Sequence, residues 1–297
     1  MGGGSWTRDA FKTYTTTSYT SRGINVIYDA SGTITSSLSN QQMFTARRIH
    51  SDLDPMGVMR ECRDTEEHPN TIPIILALDT TGSLGQVGVK IAKKLNVIMT
   101  DLYDKIKDIE FCIMGIGDLY CDDSPIQISQ FESDVRIAEH LDKLWFEFGG
   151  GGNSYESYTA AWYMGTRHCD LDCWKRGEKG IIITIGDERV NPYLQKNELQ
   201  NLTGDNLQSD IDTKYLYKEA LDKFDIYHIQ VNHDRNWDID NIRKSWDFLG
   251  ENYKEANLDN ITDTIVDIIV TARTNATNTA ANPIISDINY TPDGIAW

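Results

Sequence analysis

Basic residues are scarce in this chain. Lysine and arginine number 28 against 45 aspartates and glutamates, a net charge of −17 at pH 7 over 297 residues. That imbalance excludes a surface built to neutralise phosphates, because nucleic-acid binding draws on Lys and Arg. It also argues against docking on anionic lipid, and it suits metal cations and basic partners. Long apolar runs are missing too. The longest, IPIILAL over 72–78 and GIIITIG over 180–186, fall far short of the ~18–20 residues that cross a bilayer. The opening MGGGSWTRDA has no basic stretch leading into an apolar one, so it does not read as a secretory signal. Cysteine is sparse and odd in number, with Cys62, Cys112, Cys121, Cys169 and Cys173. That excludes a disulfide framework and predicts free thiols in a reducing compartment.

What is present is enough for a core: 40% hydrophobic residues, 10% of them aromatic in the whole chain, which excludes global disorder. Residues 1–70 differ from the rest. They open Gly-rich and become Thr/Ser-rich, INVIYDASGTITSSL predicts a hairpin around an Asp-Ala-Ser-Gly turn, and a polar, charge-dense stretch follows. Such a segment cannot build its own core and is expected to wrap around the main domain or reach a partner. From 71 to 272 strands alternate with helices. Continuous apolar runs at 72–78, 109–117 and 180–186 predict strands buried on both faces. Apolar residues at helical spacing (Val89, Ala92, Leu95, Ile98, Met99, Leu102, Ile106) predict a long amphipathic helix between the first two strands. Helices are also expected over 133–146, 154–169, 238–250 and 258–272, with a strand over 226–232. The fold class is therefore α/β: a doubly wound, mostly parallel sheet with helices on both faces, plus N- and C-terminal extensions. Residues 273–297, rich in Asn, Thr and Pro, read as a tail.

In such sheets ligands bind beyond the carboxyl ends of the strands. The first buried strand runs straight into Asp79-Thr80-Thr81-Gly82-Ser83. Asp79, Thr81 and Ser83 stand at alternate positions in a tight turn, so their oxygens can converge on one point. Hard oxygen donors with few carboxylates suit Mg²⁺ or Mn²⁺. Asp187 ends the strand over 180–186 and would lie beside Asp79 if the two strands are neighbours. The Gly-Gly-Gly-Gly-Asn-Ser loop (149–154) brings amide and hydroxyl oxygens to the same edge, its glycines allowing close backbone approach. That loop lacks the Lys-Ser/Thr of a phosphate loop. Thr81 stands where an aspartyl phosphotransferase needs a second Asp. The pair His168 and Cys169 with Cys173 lacks zinc-site spacing.

ILALDTTGS resembles the metal-ion-dependent adhesion site of the von Willebrand factor A family, whose first motif is Asp-x-Ser/Thr-x-Ser, and GIIITIGDE resembles that family's later strand ending in its second Asp. The stretch before the first strand resembles bacterial and bacteriophage members. The resemblance implies that Asp79, Thr81 and Ser83 ligate a divalent ion, Mg²⁺ or Mn²⁺, with Asp187 supporting it through water. The family places a Thr on the middle loop. Here no Thr matches, and Asn153, then Ser154, are the candidates for that role. It further implies a non-enzymatic module that binds an acidic side chain of a partner protein through the ion, with no nucleic acid and no membrane involved. The chain would be cytoplasmic, or part of a virion if phage-encoded, and a structural or assembly component of a larger particle. An adaptor for an AAA+ ATPase is the alternative, and a metal-assisted hydrolase or phosphotransferase a third, disfavoured because no nucleophile or base pairs with the site.

Overall fold

A computed structural model describes residues 4–82, 84–147, 154–232 and 238–281, without the side chains of 275–281. Its centre is a six-stranded sheet. The elements used below are α1 (Arg8–Ser21), β1 (Ile72–Asp79), α2 (Gly85–Tyr103), β2 (Ile109–Ile116), β3 (Ile126–Ile128), α3 (Arg136–Lys143), α4 (Ala160–Arg167), β4 (Gly180–Gly186), α5 (Thr213–Leu221), β5 (Phe224–Val231), β6 (Tyr253–Ala256) and α6 (Ile261–Ala281). The strand order is β6-β5-β4-β1-β2-β3. All pairings in it are parallel except the edge pair β2–β3. The α/β class and the mainly parallel sheet are thus as the apolar runs predict.

Alternate residues of each central strand enter two separate cores. On one face Ile72, Ile74, Leu76 and Leu78 of β1 meet Ile113 of β2 and Ile183 of β4 under α2, α3 and α6. On the other, Ile75 and Ala77 of β1 meet Met114, Ile182 and Ile226 under α4 and α5. Burial on both faces is why these strands read as unbroken apolar runs rather than alternating ones. The chain leaves β1 toward β2 and β3, then returns to β1's other side with β4. The crevice between the ends of β1 and β4 is where the strand order reverses, the place where open α/β sheets bind ligands.

Several local expectations change. The Thr/Ser-rich run near the start forms α1, because Thr7 caps it and Phe11, Thr15 and Tyr19 recur at four-residue spacing on its buried side. The segment expected to be a hairpin makes one antiparallel bridge, Tyr28 to Ile34. The helix expected over 154–169 begins only at Ala160, since Tyr155 and Glu156 pair with Arg189 and Val190 as short parallel strands. The stretch 238–250 breaks into a helix over Ile239–Ser245 and a 3₁₀ turn over Asp247–Asn252. The last helix runs on to Ala281.

The N-terminal segment is part of the main core. Phe11, Tyr19, Ile34, Met43, Phe44 and Leu53 are buried in the same cluster as β1 and α2. Phe44 stacks on Phe146 at 4.1 Å. α1 is tied to α3 through Asp142, which accepts from Tyr14 (2.9 Å), Ser18 (3.1 Å) and Arg22 (2.5 Å). If this segment were an appendage, truncating its aromatic would leave the unfolding of the sheet untouched. We expect instead that Phe44→Ala lowers the free energy of the single cooperative unfolding transition by about 3–5 kcal/mol, measured by denaturant titration with far-UV circular dichroism.

Candidate functional site

The chain order of β1 brings Asp79 to the sheet's carboxyl edge, and the turn after it alternates. Thr80 faces β2, its amide and hydroxyl both bonding the Ile116 carbonyl (2.8 and 3.0 Å). Asp79 and Thr81 face the other way. Asp79 Oδ1 accepts from the Thr81 amide (2.8 Å) and hydroxyl (2.6 Å), and Asp79 Oδ2 accepts from the Tyr158 hydroxyl (2.9 Å). Leu78 pairs with Ile185 across β1–β4, so Asp187 emerges one residue beyond Asp79's level on the neighbouring strand. The Asp187 and Glu188 amides donate to the same Tyr158 oxygen, at 3.2 Å each. One buried phenol therefore joins the ends of β1 and β4.

The fit of that phenol depends on Gly186. A Cβ at this position would stand 2.0 Å from the Tyr158 oxygen, closer than any non-bonded pair allows. Beneath it, the Tyr158 ring meets His228 edge-on at 5.1 Å, and His228 stacks on Trp246 at 3.8 Å. Trp246 donates from its indole nitrogen to the Glu188 carbonyl (3.3 Å), so the aromatic floor also props the loop after β4. His228 bonds the Thr184 hydroxyl at 2.9 Å. Burial pushes its imidazole down to about 3, so it stays neutral.

The edge collects carboxylates. Asp79, Asp118, Glu156 and Asp187 are all buried. Asp118 follows β2 and accepts from the Tyr120 amide (3.1 Å) and the Ser157 hydroxyl (3.4 Å). The Asp118 amide donates to Asp122 (2.7 Å). Glu156 is brought in by its strand pairing beside the end of β4, Glu156 opposite Val190. Its Oε2 is buried with no hydrogen-bond partner among the described residues. Burial raises the proton affinity of Asp79, and the nearby Asp187 charge raises it further. Glu156 is pushed up by burial first, then by Asp79, Asp122, Asp118 and Asp187. Burial likewise raises Asp122. For Asp79 and Glu156, burial and the neighbouring carboxylates together favour the protonated form.

Of the residues expected from sequence, Asp79, Thr81 and Asp187 come together here around Tyr158. Ser83 and Asn153 lie outside the described residues. Ser154 is exposed at the surface. Glu156, Tyr158, Asp118 and Asp122 did not stand out in the sequence. Glu156 lay in a stretch read as helix, and only its place directly after the Gly-rich loop marks it. Asp118 ends a buried strand just as Asp187 does, and that parallel was available. Among the described residues, no three His, Cys, Asp or Glu side chains converge as a ready metal site. An ion at this edge would thus draw on hydroxyl and backbone oxygens as well as carboxylates. The thiols of Cys62, Cys169 and Cys173 are buried and free, and His168 bonds Asp205 (2.7 Å) and the Val58 carbonyl (3.0 Å).

No family model and no curated protein sequence matches the chain. Solved structures overlap with it. The pilus adhesin SpaC from Lactobacillus rhamnosus GG, in its open conformation, aligns at 13% identity and TM-score 0.45 over 74% of this chain. The chain spans 33% of that protein's length. The vWF domain of the type V pili tip protein Mfa5 from Porphyromonas gingivalis aligns at 8% identity and TM-score 0.41, covering 69% of this chain and 96% of that domain. Proximal thread matrix protein 1 from the mussel byssus, with a zinc-occupied MIDAS motif, aligns at 11% identity and TM-score 0.41, covering 72% of this chain and 49% of that one.

The Tyr158 hydroxyl has three partners, so its removal strands two amides and a carboxylate oxygen. Tyr158→Phe should cost about 1–3 kcal/mol of unfolding free energy, read by denaturant titration in EDTA. His228 gives a pH dependence. An unfolded histidine titrates near 6.5 while the folded one stays neutral down to about 3. The folded state therefore binds fewer protons in that window, and the stabilisation is complete above about pH 6.5 and falls as the pH drops. Between pH 6.5 and 4, the stability of His228→Phe should fall less steeply than that of the wild type, by up to about 1.4 kcal/mol per pH unit.

Proposed function

We propose that this chain is a non-enzymatic binding module of the von Willebrand factor A type, which holds a divalent cation at the β1–β4 edge and through it an acidic side chain of a partner protein. The observation that carries this reading is Glu156. A carboxylate buried in the field of Asp79, Asp118, Asp122 and Asp187, with one oxygen that has no hydrogen-bond partner among the described residues, is a feature that a nearby cation would relieve. The charges that repel one another without an ion would each be attracted to it. Asp79 and Thr81 would hold the ion, with Asp187 supporting it through water and Ser83 and Asn153 joining as the sequence resemblance implies, while Glu156 adds negative charge nearby. All are hard oxygen donors, which suits Mg²⁺ or Mn²⁺. The ion would supply a positive point on an otherwise acidic surface, so a partner's carboxylate is accepted only where the ion sits.

Among the described residues, the Thr81 and Tyr158 hydroxyls at the edge are committed to Asp79. The Tyr158 phenol is pushed well above its ordinary value by burial and by Asp79, and its oxygen is engaged on both sides. The N-terminal segment packs into the chain's own core, which leaves the edge itself as the contact surface. Within this reading the chain acts as a structural or assembly component, in the cytoplasm or in a particle built there.

The test is a thermal melt of the full chain in EDTA and in millimolar Mg²⁺ or Mn²⁺, beside Asp79→Ala. An ion that binds only the native state stabilises it by about 2.7 kcal/mol at one hundred times its Kd. A metal-dependent rise in the wild type that disappears in Asp79→Ala is the expected result. No rise in the wild type with either ion would sink the cation reading.

A further inference from the structure

Beside the carboxylate edge lies a small pocket of about 260 Å³ whose walls are Tyr120, Tyr155 and Tyr193, with Asp118 and Ser157 among its other lining residues. The three residues are exposed at 73%, 37% and 46%, whereas most other large aromatics among the described residues are buried or half-buried. Backbone contacts place all three residues at the pocket. The Tyr120 amide donates to Asp118 (3.1 Å), the Tyr193 carbonyl accepts from the Asn191 side chain (3.0 Å), and Tyr155 pairs in register with Arg189. Tyrosine, with only two side-chain torsions, presents area to a ligand at little entropic cost.

The chemistry of the walls selects the occupant. Ring faces carry negative potential and attract cations, and Asp118 adds a carboxylate to the same pocket. Tyr155 already carries a cation on one face: the Arg189 guanidinium lies 5.7 Å from its ring centre, paired with Asp238. Around the pocket stands a chain with 17 excess negative charges, a field that draws basic segments in.

We infer that this pocket receives a lysine or arginine side chain of a protein partner, caged by Tyr120, Tyr155 and Tyr193 above Asp118. The inference goes beyond the cation reading and does not depend on it, because the pocket and its charge are present without an ion at Asp79. It adds a second point of recognition: a basic side chain at the pocket, next to whatever meets the edge.

The test titrates the full chain with the N-acetyl amides of lysine, arginine and norleucine. Tyrosine ring signals are followed by NMR, in EDTA and again in Mg²⁺. Lysine and arginine amides are expected to shift the signals of the three rings in both buffers, and norleucine, which matches lysine's stem without its charge, to bind several-fold more weakly. Tyr193→Leu keeps an apolar wall but removes a ring face, and should weaken the lysine amide about two- to five-fold while leaving norleucine unchanged. Tyr120→Leu, at the most exposed of the three, serves as the second variant should Tyr193→Leu alter the fold's backbone spectrum. Equal binding of norleucine and lysine would overturn the inference. So would lysine binding that survives both variants and is displaced by Mg²⁺, since that would place the ammonium among the edge carboxylates. A wild type that fails to respond to Mg²⁺ in the melt but binds lysine at these rings would reject the metal reading and keep this one.

Discussion

Like charges buried together govern this end of the molecule. Water normally pays for a carboxylate's charge, and at the β1–β4 edge that solvation is gone for Asp79, Glu156 and Asp187 at once. A buried ion left uncompensated costs several kcal/mol, and burial accordingly raises the proton affinity of Asp79 and Glu156. The folded chain accepts the tension because the sheet leaves it no choice. Parallel pairing puts the ends of β1 and β4 side by side; β1 ends in Asp79 and β4 runs directly into Asp187. The Tyr158 hydroxyl eases part of it by donating to Asp79, and its oxygen in turn takes the two amides of the loop that carries Asp187.

That arrangement is rigid for reasons lying deeper in the fold. Tyr158 can reach the strand ends only because residue 186 has no side chain. It stays there because His228 and Trp246 fill the space beneath it, and Trp246 also bonds the Glu188 carbonyl. The floor belongs to the core under α4 and α5, whereas Asp79 is the last residue of a strand clamped between both cores. The N-terminal segment thickens the opposite core through Phe44 on Phe146, one residue from Glu147, whose amide bonds the Thr80 carbonyl (2.9 Å). Packing far from the edge is thus connected to it through short stretches of chain.

The sequence was most legible where burial acts on many residues in a row. The runs over 72–78, 109–117 and 180–186 have one physical reading, a strand covered on both faces, and their order predicts where the sheet reverses. From that alone Asp79, Thr81 and Asp187 could be placed on one edge. It was least legible where a tertiary contact decides. Thr/Ser-rich residues 8–21 have weak helical preference, and they become a helix because Phe11, Thr15 and Tyr19 find a core supplied by α2. Glu156 looked like part of a helix until the two-residue pairing with 189–190 drew it into a strand. Tyr158's role could not be read at all, since it rests on a gap left by Gly186, 28 positions along the chain.

The edge and the tyrosine pocket divide two tasks that one surface could not perform well. Groups excluded from water interact strongly but discriminate by geometry, and they cannot attract a partner from a distance, because their charge is muted by shared protons or an ion. Exposed groups act the other way. Their individual contacts are weak and screened, yet they set which molecules arrive and in what orientation. Here the buried group is Asp79 with Glu156, while the exposed group is Tyr120, Tyr155 and Tyr193. Asp118 belongs to both, buried against Glu156's neighbourhood on one side and lining the pocket on the other. A basic side chain at the pocket and a cation at the edge would repel each other and share the attraction of Asp118, so occupation of either place would oppose occupation of the other. The coupling needs no conformational change, only the single carboxylate the two places share.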